Sequence, residues 1–381
     1  MNLNLSDEQE FLREAARGAL SRVKTVEAAR EALEDGSALP DLWPMAIEAG
    51  WPGLLVSEER GGAGLGAYDA MLVAQEAGRV LAPAPLLGPL PASLLLDRGA
   101  AEVTESVAAG ELKAAWLPAR PPSSLEPRWT VDPVSGKARA AAPTASVDGD
   151  AVTFDGVVAW APDAAQADVL VVIGQDAGGA PVAGVVEAKA DGVAVEGTWR
   201  YDATRRLGTV TLTGATGVKL AVSERDIAEA WYLTQALIAA ESLGSVETAL
   251  EVSLTYAKER FTFGRAIGSY QAMKHGLVEI LRRQENTKSL LIYAGFAFSD
   301  TPDEIAYAAS AARSVAGGAL DFAARQQIAV HGGIGATWEH DAPLTFRRAQ
   351  LSRRLVGGTG DATDRVAEEL LEGRGPSAQA A

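Results

Sequence analysis

Two stretches of the chain carry groups that could hold a phosphorylated ligand. In YAKERFTFGRAIGSYQAMKH, Arg260 offers a positively charged fork at a helix end and Thr262 offers a hydroxyl. In IAVHGGIGATWEHDAPLTFRRA, the backbone N–H groups of Gly332 and Gly333 are open to close approach. A simpler interpretation stays open, in which Arg260 pairs with an acid such as Glu259 and the glycines merely end a helix.

Motifs for other kinds of chemistry are missing from the sequence. The three histidines, His275, His331 and His340, do not have metal-ligand spacing, and the chain has no cysteine. No G-x-S-x-G elbow, Walker loop or strand-linked G-x-G-x-x-G is present, which argues against acyl-serine, P-loop and Rossmann sites. We therefore expect no metal site, and we expect His331 to be a packed residue rather than a catalyst.

The charge of the chain argues against several kinds of partner. Its 34 Lys and Arg residues face 50 Asp and Glu residues, and the resulting net charge of −16 repels a nucleic-acid backbone. The N-terminus has acids where a signal peptide needs an apolar run, and prolines interrupt the uncharged run from Val80 to Leu96. We expect a cytoplasmic protein with neither a nucleic-acid partner nor a membrane-inserted segment.

The hydrophobic pattern divides the chain into three parts and a tail. Residues 1–113 have helical periodicity, residues 114–222 have short β-branched runs separated by Gly, Asp and Pro, and residues 223–372 return to helical periodicity. The tail, residues 373–381, has the composition of a flexible terminus. The pattern predicts α, β and α domains in that order.

The two stretches quoted above resemble the signature regions of the acyl-CoA dehydrogenase family. GWPGLLVSEERGGAGLG resembles that family's N-terminal joint, and the likeness covers nearly the whole chain. The resemblance implies an α+β multidomain fold, in which an N-terminal α-helical domain, a β-barrel-like middle domain and a C-terminal four-helix bundle follow one another. It also implies FAD as cofactor and an acyl-CoA thioester as substrate, desaturated between its α and β carbons.

The resemblance assigns cofactor contacts to particular residues. In the family, the residues that match Arg260, Thr262, Gln271 and the Gly332–Gly333 pair bind the ADP half of a flavin that lies mainly in a neighbouring subunit. By the same resemblance, we expect further cofactor contacts from Phe263, Thr359 and Trp160. The cofactor site is thus expected to form between two chains.

The stretch LSRRLVGGTGDATDRVAEEL departs from the family at the position of the catalytic base. Typical members carry a glutamate just before a Gly-Thr pair, and this carboxylate removes the α-proton while the β-hydride moves to flavin N5. Here the aligned position is Val356, Gly357 or Gly358, none of which can accept a proton. A minority of members carry the base at a position that aligns with Thr234, which cannot replace it.

Two spare carboxylates lie near these positions in the sequence. Asp361 precedes a helical segment, and we expect it to cap that helix, with catalysis as the weaker alternative. Glu241 lies two turns beyond Thr234, about 10 Å along the helix. We expect neither to restore the base.

The middle domain departs from the family around the flavin ring. Trp160 can match the family's tryptophan, but Pro162 replaces a hydrogen-bonding threonine, and Ala329 stands where a glutamine often assists the neighbour's adenine. The chain's own flavin pocket is therefore expected to be eroded. The basic cluster Arg347, Arg348, Arg353 and Arg354 is either a solvated helix face or a contact for CoA phosphate or another subunit.

These observations favour a base-less subunit, resembling those of bacterial heteromeric acyl-CoA dehydrogenases of the steroid side-chain type. Its partner would be a related subunit that carries the glutamate, in an α₂β₂ assembly by analogy. One alternative is a self-sufficient flavoprotein of the same fold, of the oxidase or monooxygenase type. Another is a flavin-free scaffold protein.

Overall fold

The structure, a computed structural model, describes residues 4–135 and 139–376. The last five residues of the predicted tail, 377–381, lie outside the described residues. Within these limits, the chain forms helices, then a β-rich region, then helices again, so the predicted α+β fold is confirmed. In the described part of the chain, no helix is both long enough and apolar enough to cross a membrane.

The N-terminal region is built from helices. The first of them starts at a capping box formed by Ser6 and Gln9, which satisfies two backbone N–H groups. The helices are α1 (Asp7–Ser21), α2 (Thr25–Glu31), α3 (Trp43–Glu48), α4 (Ala67–Arg79), α5 (Pro89–Arg98) and α6 (Thr104–Ala108).

The described residues of the middle region form nine strands. They are β1 (Ala114–Trp116), β2 (Trp129–Val131), β3 (Arg139–Ala141), β4 (Thr144–Asp148), β5 (Ala151–Pro162), β6 (Val169–Gln175), β7 (Pro181–Glu187), β8 (Val193–Thr198) and β9 (Leu207–Lys219). Strands β6, β4, β5, β9 and β7 follow one another in hydrogen-bonded order, and pairing of β7 with β6 closes the ring into a barrel. Strands β2 and β3 form a separate antiparallel hairpin.

Strand β5 changes its pairing register near Trp160. Its pairing with β9 shifts between Val158 and Ala161, as expected for a β-bulge. Trp160 lies in this irregularity with a positive φ of 56°. The bulge thereby sets the position of a tryptophan that the sequence singled out as a cofactor contact.

The C-terminal region starts with a helix of 36 residues that runs through the core of the molecule. This helix, α7 (Glu224–Glu259), is followed by the hairpin β10 (Phe261–Thr262) and β11 (Arg265–Ala266) and by α8 (Gln271–Ser299), α9 (Ile305–His331), α10 (Ala342–Ser352) and α11 (Gly358–Leu371). Helices α7, α8 and α9 pack on one another, α11 packs on α9, and α4 packs along α7.

Candidate functional site

The two signature stretches meet at one end of the helical bundle. The rings of Tyr256, near the end of α7, and His331, the last residue of α9, lie 4.3 Å apart between centroids. Arg260 follows one turn after Tyr256, and Gly332 follows directly after His331. The fold therefore brings the end of α7 beside the end of α9.

Arg260 lies at the C-terminal boundary of α7, and its side chain is exposed. Among the described residues, its guanidinium has no ion pair or hydrogen bond, so pairing with Glu259 does not occur. The hairpin that follows turns at Phe263 and Gly264, both with positive φ, and this places the Phe263 side chain in solvent with 92% of its surface exposed. Thr262 is exposed on the same hairpin.

Gly332 and Gly333 form the open end of α9. Gly332 has a φ of 64°, which ends the helix, and a Cβ built on either glycine would have no atom within 4 Å. Gln271, the first residue of α8, is exposed at the same end of the bundle. An unpaired guanidinium beside approachable backbone N–H groups is the set of donors that a pyrophosphate requires, so these residues fit the ADP part of FAD.

The hinge between α10 and α11 has an unusual backbone. Val356, Gly357 and Gly358 have φ values of 47°, 80° and 79°, three left-handed residues in succession. The Val356 carbonyl accepts a hydrogen bond of 3.0 Å from Nε2 of the buried Gln235 on α7. A β-branched residue rarely adopts this conformation, so the packing around the hinge must hold it there.

The space around Gly357 is filled by side chains. A Cβ built on Gly357 would lie 3.0 Å from Asp361 Oδ2, 3.1 Å from Trp231 Cζ2 and 3.2 Å from Trp129 Cη2. Trp129 and Trp231 are buried, and their rings pack edge to face with centroids 5.9 Å apart. A long side chain at this position would have to displace both tryptophans. No motif in the sequence indicated that Trp129 in β2 meets Trp231 in α7.

The other position expected for a base has no acidic group available. Thr234 is fully buried in α7, and its hydroxyl donates to the Ala230 carbonyl at 2.9 Å. Glu241 is buried as well, and Arg205 donates to its two carboxylate oxygens at 3.0 and 2.6 Å. The Glu241 carboxylate is thus held in an ion pair that links α7 to the β-rich region.

The prediction that Asp361 caps a helix is wrong. Helix α11 starts at Gly358, and Gly357 occupies the capping position, so Asp361 lies inside the first turn. Its buried carboxylate lies 2.5 Å from Arg120 Nε and 3.4 Å from a terminal nitrogen of Arg139. Burial raises the pKa of Asp361, and Arg120 opposes the increase. Asp361 joins α11 to the segment that precedes β2.

Trp160 is buried, and its indole Nε1 has no hydrogen-bond partner within residues 4–135 and 139–376. The Arg200 guanidinium lies over its ring, 4.2 Å from the centroid. Both residues line a cleft of about 680 Å³ between the β-rich region and α10, together with Tyr201, Phe346 and other residues. Thr359 does not lie with them, because its methyl group packs against Gly317 of α9.

The basic cluster does not behave as one unit. Arg348 is buried, and its Nε donates to Asp202 at 2.9 Å. Arg347 and Arg354 line the cleft beside Trp160, and Arg353 lies 3.4 Å from Asp321. Neither a solvated helix face nor a single anion contact describes all four.

Comparisons with known proteins agree with this architecture. Residues 6–119 match the acyl-CoA dehydrogenase N-terminal domain, and residues 227–371 match the acyl-CoA dehydrogenase C-terminal domain. The chain is 29% identical to acyl-CoA dehydrogenase IpdE2 of Mycolicibacterium smegmatis over 96% of its own length and 100% of the relative.

Solved structures give the same result. The chain superimposes on a variant of the Tcur3481–Tcur3483 steroid ACAD with a TM-score of 0.84 at 25% identity, covering 96% of this chain and 98% of that one. A chain of the ChsE4–ChsE5 complex from Mycobacterium tuberculosis shares the fold with a TM-score of 0.83 at 22% identity, covering 98% and 99%. The chain belongs to the acyl-CoA dehydrogenase family of FAD-dependent oxidoreductases.

Proposed function

We propose that this chain is a base-less subunit of a heteromeric acyl-CoA dehydrogenase. It contributes Arg260, Thr262, Gln271 and the Gly332–Gly333 pair to FAD that is held mainly by a related partner subunit, and the partner carries the catalytic glutamate. The proposed assembly is α₂β₂. The proposed substrates are CoA esters of steroid side chains, because a structural relative at 25% identity is described as a steroid ACAD.

The contrast between the two ends of the helical bundle carries this proposal. At the hinge, Trp129, Trp231 and Asp361 fill the space that a base at position 357 would use. At the other end, Arg260 is exposed without a partner among the described residues. The chain supports a contribution to a neighbouring cofactor better than a complete site of its own.

Desaturation of an acyl-CoA requires a base for the α-proton, while FAD supplies the acceptor for the hydride. Near the hinge, Val356 and Gly357 offer no side chain that could take a proton, and the Thr234 hydroxyl already donates to a helix carbonyl. Asp361 and Glu241 are occupied by Arg120 and Arg205. The proton-accepting step is therefore assigned to the partner.

An exposed apolar surface surrounds the contributed residues. Phe261, Phe263, Ile334 and Trp338 are 64%, 92%, 51% and 49% exposed. Aromatic residues of this kind are enriched where subunits meet, and burying them would reward association. This surface is the proposed contact with the partner and its cofactor.

Replacing Arg260 tests the proposal. In the complex, Arg260→Ala should weaken FAD binding by about one to two decades, since a charge-assisted hydrogen bond contributes roughly 1.5–3 kcal/mol. Arg282→Ala is the matched control, because Arg282 is an exposed arginine on α8 that pairs with Glu279 of the same helix. Fluorescence titration of the flavin-free complex with FAD measures both variants. Equal FAD affinity in Arg260→Ala and wild type would refute the contribution.

A second candidate function is a self-sufficient flavoprotein of the same fold. The cleft of about 680 Å³ beside Trp160 favours it, because the indole N–H has no partner in the part of the chain that the structure describes. Arg200 covering the Trp160 ring disfavours it, because a flavin would have to displace the guanidinium. One FAD per chain in the protein expressed alone would decide for this second candidate.

A further inference from the structure

Three aromatic rings pack in succession next to the open glycine pair, with interplanar angles of 33° and 50° between neighbouring rings, and are called the stack below. The His331 ring lies between Tyr256 of α7 and His340, with centroid distances of 4.3 Å on both sides. His331 is buried and immediately precedes Gly332. The backbone carbonyl of Tyr256 accepts a hydrogen bond of 2.8 Å from the backbone N–H of Arg260. The stack thus connects His331, which precedes the glycine pair, to the last turn of α7, which precedes Arg260.

The hydrogen bonds of the two histidines define which nitrogens carry protons. His331 Nδ1 lies 2.7 Å from the Gln327 carbonyl, which only accepts, so this nitrogen carries a hydrogen. His340 Nδ1 lies 3.0 Å from the backbone N–H of Ala342, which only donates, so this nitrogen is unprotonated. A doubly protonated His340 could not keep its bond to Ala342.

The surroundings of His340 disfavour a positive charge. Ala342 is the first residue of α10, so His340 lies at the positive end of a helix dipole. Burial lowers the pKa of His340, and His331 lowers it further. Among the described residues, the other charged groups that act on His340 are Arg30 of α2 and its ion-pair partner Asp341, and Glu339 interacts with Arg30. Asp341 partly offsets the effect, whereas Arg30 adds to it.

The sign of the resulting pH dependence follows from linkage. A histidine with a lowered pKa binds fewer protons in the folded state than in the unfolded state. Its stabilising contribution is complete above the ordinary pKa of about 6.5 and is lost as the pH falls below that value. Acid therefore reduces the contribution of His340 to folding stability.

We propose that the Tyr256–His331–His340 stack is an acid-sensitive support that positions the glycine pair for FAD. The proposal rests on the contribution to FAD proposed above. In the neutral state, the packed rings hold the end of α9 against the end of α7. On protonation, His340 loses its bond to Ala342 and its positive charge faces the N-terminal end of α10 and Arg30, so the glycine pair moves and FAD is released.

His340→Asn separates the charge from the hydrogen bond. Its Oδ1 can accept from the Ala342 N–H as Nδ1 does, but the side chain cannot gain a proton. The matched control is His275→Asn, which removes the remaining histidine, an exposed residue of α8. FAD affinity is measured between pH 7.5 and 5.5 by fluorescence titration of the complex, and thermal unfolding of the flavin-free full chain is followed over the same range.

In wild type and His275→Asn, FAD affinity should fall at least about tenfold on acidification, and the unfolding midpoint should fall with it. In His340→Asn, both changes should be less than about half as large on a logarithmic scale. The proposal is overturned if FAD affinity in His340→Asn falls on acidification as much as in wild type. This holds even if the unfolding midpoint of His340→Asn no longer depends on pH. Arg260→Ala at pH 7.5 is measured in parallel, because full FAD affinity in that variant would refute the contribution to FAD itself.

Discussion

Gly357 shows that the proposed absence of a base involves more than a single substitution. The residue has a left-handed backbone that glycine adopts easily, and its neighbours Val356 and Gly358 are left-handed as well. Two tryptophans and Asp361 stand within about 3 Å of any Cβ at this position. The hinge is thus packed as a closed part of the core, and a side chain of any length conflicts with both backbone and packing.

Gly357→Glu should therefore fail to create a catalytic site. The positive φ and the overpacking should each destabilise the fold by about 1–3 kcal/mol. Gly360→Glu is the control, because Gly360 lies in the first turn of α11 with nothing near its Cβ, and an acid there should leave stability unchanged or slightly raised. Thermal unfolding measures the stability, and flavin reduction by acyl-CoA detects activity. A well-folded Gly357→Glu chain that desaturates acyl-CoA without a partner would contradict the closed hinge.

Asp361 marks the limit of what could be predicted from the sequence at this site. The absence of a base at positions 356–358 was visible in the residue types alone. The role of Asp361 was not, because its partner Arg120 is far away in the sequence and precedes β2. The capping prediction also failed since Gly358 lets α11 begin earlier than the helical pattern suggests. The residue types showed that positions 356–358 have no proton-accepting side chain, and only the tertiary contacts showed which groups fill the space there.

At the scale of elements, α7 is the part to which the other regions attach. Its central segment lies so close to α4 that glycines are needed on both helices. A Cβ on Gly78 would lie 2.0 Å from the Glu241 carbonyl oxygen, and one on Gly244 would lie 1.9 Å from that of Gln75. The Ser245 hydroxyl donates to the Gly78 carbonyl at 2.7 Å across the same contact. Helical periodicity predicted both helices, but the contact between them depends on residues that look unremarkable in either pattern.

Gly244→Ala should separate α4 from α7. The methyl group meets a backbone carbonyl that cannot rotate away, so a loss of at least about 1–3 kcal/mol is expected. Gly318→Ala is the matched control, because Gly318 is an exposed helical glycine of α9 with no atom near its Cβ, and alanine should stabilise the helix by about 0.5–1 kcal/mol. Urea unfolding of the full chain compares the two variants. Equal shifts in the two variants would show that the close approach of the helices is unimportant.

At the scale of the whole molecule, the two ends of the helical bundle differ in how complete they are. The hinge end is closed by Trp129 from the β2–β3 hairpin and by the ion pair between Arg120 and Asp361. The opposite end exposes aromatic side chains and an arginine without a partner among the described residues. Apolar surface of this kind is stabilised when another chain covers it. A chain that is closed at the hinge and exposes apolar surface at the opposite end fits the proposed heteromeric enzyme.

The ratio of FAD to protein should report this asymmetry. Expressed alone, the chain should retain far less than one FAD per chain, because it is proposed to supply donors for the pyrophosphate of a cofactor that is held mainly by the partner.

Co-purified with a family member that has the hinge glutamate, it should form a complex in which FAD is reduced anaerobically by acyl-CoA. Replacing the partner's glutamate with glutamine should abolish that reduction while FAD stays bound, since an amide cannot accept the α-proton. Absorbance spectra with protein quantification, and light scattering for the assembly, provide the measurements. Reduction of FAD by acyl-CoA that persists in the glutamine variant would place the base in this chain and refute its assignment as the base-less subunit.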